Sequence, residues 1–132
     1  LPTPAQSSSA RLVAVASIPG HGGTIGAVAS MLHVVAVGWY PVMLGGDLEP
    51  QEIAQAVHTS GARALLVSAV IQEPSPTELR KLTETAAALP DGVPLLFGGR
   101  VPEESRNRLV AQGLRYLDNM DTLRETLARM AA

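Results

Sequence analysis

The sequence predicts an α/β fold, a doubly wound parallel sheet with helices on both faces, and three observations carry that reading. Short β-branched apolar runs alternate with segments of helical spacing, five of each. Gly38, Gly61, Gly92 and Gly113 each fall between a helix and the next strand, where a left-handed C-cap is wanted. The other eight glycines (Gly20, Gly22, Gly23, Gly26, Gly45, Gly46, Gly98 and Gly99) follow the ends of strands one, two and four. In open parallel sheets, ligands bind outside the carboxyl ends of the strands, and glycine there lets the backbone come close to them.

The elements follow in order. Residues 12–18 are a β-branched apolar run suited to a strand covered on both faces. Thr24 can cap a helix that runs to about residue 37 and ends at Gly38. Residues 40–44 give a second strand, and residues 50–60 a helix opened by Pro50 and closed by Gly61. A third strand spans 63–70. After Pro76, the spacing of Leu79, Leu82, Ala86 and Leu89 is helical. Residues 94–97 form the fourth strand, 103–112 a helix, and 114–117 a short fifth strand. The last helix starts at Asp121 and puts Leu123, Leu127 and Met130 on one face.

Composition narrows the functional classes. The 132 residues suffice for one domain with a real core. A formal charge of −2, with one Trp, two Tyr and one Phe, gives neither a polyanion-binding surface nor stacking platforms for single-stranded nucleic acid. Having no cysteine, the chain has no disulfide framework, thiolate zinc site or thiol nucleophile. Pro2, Pro4 and Ser7 to Ser9 mark residues 1–10 as a tail or linker, which leaves 11–132 as the domain. Between Arg11 and Asp47 there is no Asp, Glu, Lys or Arg. Pro19, Gly20, Gly22, Gly23, Gly38 and Pro41 break that stretch into pieces too short to span a bilayer. No basic segment opens a signal peptide, so a cytoplasmic location is expected.

Several site chemistries fail on their residues. No lysine lies near Gly20 to Gly26 to complete a P-loop. Pro19 and Ser68 stand where a phosphoacceptor site wants carboxylates. A catalytic triad could recruit only His21, which has no nearby carboxylate. His21, His33 and His58 have no metal-ligand spacing. A dinucleotide site remains open as an alternative. Gly20-His-Gly22-Gly-Thr-Ile-Gly26 follows a strand and opens a helix, and Asp47 ends strand two, where an acid can take a ribose hydroxyl.

The run HGGTIGAVASMLHVVAVGWYPVMLGGDLEPQEIAQAVHTSGARALLVSAV, with VPLLFGGRVPEE later, resembles the cobalamin-binding domain of cobalamin-dependent methyltransferases and mutases. It is most similar to the version in light- or cobalamin-responsive MerR-type regulators, over nearly the whole chain from Arg11. That family carries Asp-x-His-x-x-Gly after strand one, Ser-x-Leu at the end of strand three, and Gly-Gly after strand four. Ser68-Ala69-Val70 and Gly98-Gly99 match the second and third motifs, and Gly38-Trp39 matches a Gly-Trp found in many regulators. The first motif departs from the pattern. Counting back from Gly26, the family's cobalt-binding histidine falls on Gly23 and its aspartate on His21.

The resemblance implies a flavodoxin-like (Rossmann-like) five-stranded parallel sheet in the order 2-1-3-4-5. It also implies a non-catalytic domain that binds cobalamin or a related tetrapyrrole by its nucleotide tail. Burying the tail, at about 25 cal/mol per Å², outweighs one axial bond. The implied cofactor contacts are His21, Gly22, Gly23, Thr24, Ile25, Gly26, Ser68, Val70, Gly98 and Gly99, with His21 a substitute cobalt ligand. The implied role is a sensor or photoreceptor that reports to a DNA-binding partner domain. Carriage of the cofactor to a catalytic barrel is the alternative role, and a degenerate ligand-free module the alternative to binding. Trp39 packs either on a preceding domain or at the sheet edge. The first helix is expected to turn Ile25, Val28, Ala29, Leu32, Val35 and Ala36 inward. Its uncharged opposite face (Ala27, Ser30, Met31, Val34 and Val37) is then expected to lie against a neighbouring domain or second subunit.

Overall fold

The apolar run after Arg11 forms β1 (Leu12–Ser17), and everything else is assembled around it. The structure is a computed structural model that describes residues 11–17, 24–44, 48–70 and 76–131. The chain continues as α1 (Thr24–Ala36), β2 (Tyr40–Met43), α2 (Pro50–Ser60), β3 (Ala64–Val70) and α3 (Pro76–Ala88). It ends with β4 (Leu95–Arg100), α4 (Glu103–Ala111), β5 (Arg115–Leu117) and α5 (Met120–Ala131). All strand pairs are parallel, in the order β2-β1-β3-β4-β5, as the sequence predicted. The expected tail at 1–10 and the loops 18–23, 45–47 and 71–75 lie outside the described residues.

Alternation along the strands divides the core in two. Val13, Val15, Leu66 and Leu96 face α1 and α5, where they meet Val34 and Leu127. Ala14, Leu65, Val67 and Phe97 face the other way, onto α2, α3 and α4 through Val57, Leu82 and Leu109. Strands buried on both faces read as continuous apolar runs for this reason. β2 is an edge strand, and it tolerates Pro41 because of its register. The N–H groups of Tyr40 and Leu44 donate to the carbonyls of Arg11, just before β1, and of Val15 within it, at 2.7 and 2.9 Å. Pro41, one residue out of step, therefore faces the open edge, where a missing donor costs nothing and discourages strand addition.

The helix ends follow the glycines. Gly38, Gly61, Gly92 and Gly113 all have positive φ. At Gly61, φ is 74°, and its N–H reaches back to the carbonyls of Val57 and His58. α2 opens with Pro50 in its first turn, and the Glu49 N–H donates to the Glu52 carboxylate at 3.0 Å. Asn119 caps α5, accepting from the Thr122 N–H at 2.9 Å.

Two expectations are corrected. The fourth strand does not stop at Phe97. It runs through Gly98 and Gly99 to Arg100, because β3 pairs with it all the way (Ser68↔Gly98, Ala69↔Gly99, Val70↔Arg100). It begins after Pro94, which has no N–H to give and only accepts, from Leu65. The first helix is rotated relative to the prediction. Ser30 and Val34 are buried, and Met31 and Val37 pack on the core, whereas Val28, Leu32 and Val35 are 49%, 70% and 58% exposed. A helix without charged residues carries two apolar stripes, and periodicity cannot say which one turns inward. The turn after α1 decides: the Trp39 N–H bonds the Val34 carbonyl at 3.2 Å and the indole enters the core, 2% exposed. Trp39 is thus an intradomain packing residue, with the Arg63 guanidinium 5.3 Å above its ring.

Candidate cofactor-binding site

Alternation puts Ser68 on the α1/α5 side of β3, two residues beyond Leu66. Parallel register sets it beside Gly98, and Gly98 beside Leu117 of β5. A Cβ on Gly98 would lie 3.4 Å from the Leu117 carbonyl oxygen and 3.7 Å from its Cβ, in van der Waals contact with β5. Gly99, with φ of 114°, occupies backbone space that other residues rarely enter.

A cavity of about 330 Å³ opens over these strand ends, between α1 and α5, within the range of small-molecule sites. Leu66, Leu117 and Leu123, all buried, form its floor. Ser30 and Ser68 supply its buried hydroxyls. Ser30 has a partner within the protein, and Ser68 is 8% exposed. Asp118, Asn119 and Met120, where β5 passes into α5, complete the rim. A smaller cavity of about 120 Å³ lies on the other face between α2 and α3, with Ala16, Ile53, Val67 and Leu82 in its walls.

Of the residues expected at the site, Ser68, Gly98 and Gly99 meet at this one cavity. Thr24, Ile25 and Gly26 form the first turn of α1, and Val70 ends β3. His21, Gly22 and Gly23 lie outside the described residues, as do the cobalt-ligand assignment to His21 and Asp47 of the dinucleotide alternative. Among the described residues no three His, Cys, Asp or Glu side chains gather as a metal site. Sequence reasoning missed Ser30, Leu117, Asp118, Asn119, Met120 and Leu123. The signal for Asp118 and Asn119 was available, since they follow the carboxyl end of a predicted strand. Ser30 was assigned to the wrong face with the rest of its stripe.

No family model matches this chain, and no curated protein matches it. Solved structures do. A cobalamin-binding protein from Desulfitobacterium hafniense DCB-2 superposes with a TM-score of 0.74 at 19% identity, over 93% of this chain and 60% of that one. The methanol:cobalamin methyltransferase complex MtaBC from Methanosarcina barkeri gives 0.71 at 21%, over 92% of this chain and 46% of that one. The flavodoxin-like domain of a Synechococcus sp. protein gives 0.56 at 16%, over 90% and 95%. The fold is flavodoxin-like. At these identities the likeness extends to the fold alone, and in a flavodoxin-like sheet the ligand is set by the loops and side chains at the strand ends. Among the described residues no helix is long and apolar enough to cross a membrane.

Proposed function

We propose that this flavodoxin-like domain binds cobalamin or a close corrinoid, with the nucleotide tail in the cavity between α1 and α5. The observation that carries the reading is that Ser68, Gly98 and Gly99, the residues matching two family motifs, line a single cavity. Two further features support the reading: Gly98 presents no side chain to the cavity, and Ser68 brings a hydroxyl to its lining. The likeness to two cobalamin-binding structures supports the same reading. The corrinoid supplies the cobalt chemistry, and this chain's residues hold the tail. At the position of the family's cobalt ligand stands Gly23, which has no donor, so anchoring falls to the tail, with His21 the nearest substitute.

In biological role, a sensor that hands the cofactor's state to a partner domain is our first reading, carried by the similarity to MerR-type regulators. Delivery of the cofactor to a methyltransferase partner is the second, favoured by the likeness to a methyltransferase complex. The binding test is titration with hydroxocobalamin, followed by desalting and visible spectroscopy. Retained corrinoid absorbance is expected. Colourless protein would make the chain a ligand-free module. The neighbouring domain of the full-length protein, DNA-binding or catalytic barrel, separates the two roles.

A further inference from the structure

We propose that the outer edge of β5, together with α5, is a docking site for an extended acidic segment of a partner protein. The site does not depend on the corrinoid reading above.

β5 is the last strand of the sheet and pairs only with β4. Its outer side therefore carries backbone N–H and C=O groups with no neighbouring strand. The opposite edge, β2, is blunted by Pro41, whereas Arg115, Tyr116 and Leu117 of β5 include no proline. A groove of about 460 Å³ lies beside β5, and all three of those residues line it. Successive side chains of a strand point to opposite faces, so three in a row share one groove only along the open edge. The other wall comes from α5, with Thr126, Arg129 and Met130.

The charge that lines this groove has one sign. Arg115 and Arg129 are exposed, and among the described residues neither forms a salt bridge. Asp121 pairs with Arg124, and Glu125, one turn before Arg129, is not in salt-bridge range of it. Arg106 is placed differently, over the Tyr116 ring at 4.8 Å. The Thr126 hydroxyl donates to the Thr122 carbonyl at 2.8 Å. The groove thus presents two guanidinium forks beside apolar Leu117 and Met130 and an unpaired strand edge. An extended chain with carboxylates on alternate residues matches each part: its backbone extends the sheet and its acids meet the arginines.

Other occupants fit worse. Pairing two copies of β5 edge to edge sets like-charged grooves against each other. Residues 1–10 hold no Asp or Glu to offer the arginines. Two arginines in a chain of net charge −2 are too few to hold a nucleic-acid backbone.

The test titrates the unmodified chain into a short dye-labelled peptide of alternating Glu and Val, followed by fluorescence anisotropy at low salt. Two control peptides replace Glu by Gln, or Val by Pro, which cannot join a sheet. The Glu-Val peptide is expected to bind about fivefold tighter than either control. Arg115→Gln combined with Arg129→Gln should weaken it about fivefold with the melting temperature unchanged. Arg115→Glu combined with Arg129→Glu should transfer the preference to a Lys-Val peptide. No binding of the Glu-Val peptide, equal binding of the Gln control, or full affinity in the double Gln variant overturns the acidic site. Undiminished binding of the Pro control overturns strand addition. A DNA duplex that binds as tightly as the Glu-Val peptide, or a dimer in sedimentation that the double Gln variant dissolves, gives the edge to another occupant and overturns the proposal.

Discussion

Ser68 is a largely buried residue that brings a hydroxyl to the cavity wall, where a ligand atom can meet it. Ser68→Ala should therefore weaken binding while leaving stability nearly unchanged. Thermal denaturation should show the unliganded chain within about 0.5 kcal/mol of the original. Cobalamin titration should show binding about three- to tenfold weaker, with tail-less cobinamide unaffected. Gly61 tests the backbone in isolation. A Cβ there meets nothing within 4 Å, so Gly61→Ala pays only for a φ of 74°. About 1 kcal/mol is expected, visible as a melting temperature lowered by about 4 °C. The αL glycines were legible because the sequence placed each one between a helix and a strand. The pairing of Gly98 with Leu117 was not, since β5 reaches β4 only through the fold.

At the scale of elements, α1 is the instructive case. Its inward face is Ser30, Met31 and Val34, and three large residues on the other face are open to solvent. Val34→Glu puts a carboxylate into a fully buried position and should cost at least about 3 kcal/mol. Leu32→Glu, at a position 70% exposed, should stay within about 0.5 kcal/mol. Chemical denaturation of both variants separates the two rotations of the helix, because the opposite rotation reverses their order. α2 behaved differently. Its bounds came directly from Pro50 at the start and Gly61 at the end, and its polar residues mark the outward face. A helix with charges declares its orientation, and α1 has none.

For the whole molecule, the parallel sheet lines up the carboxyl ends of β3, β4 and β5 under α1 and α5, and the cavity is the space this arrangement leaves. Filling that space is the global test of the site. Leu123→Trp, at a floor residue 1% exposed, should lower cobalamin affinity by at least about 100-fold, measured by titration. The fold should lose no more than about 1–3 kcal/mol in denaturation, the usual cost of overpacking. If the variant binds cobalamin normally, the tail lies elsewhere.

The sequence by itself determined the alternation of strands and helices, the strands buried on both faces, and the glycines that end helices. Those features depend on each residue and its near neighbours, and local patterns record them. The tertiary structure decided which side of α1 turns inward and where the cavity lies. Ser30, Ser68, Leu117 and Leu123 come from four elements spread along the chain, and an empty volume between them is a property of packing that no single segment encodes.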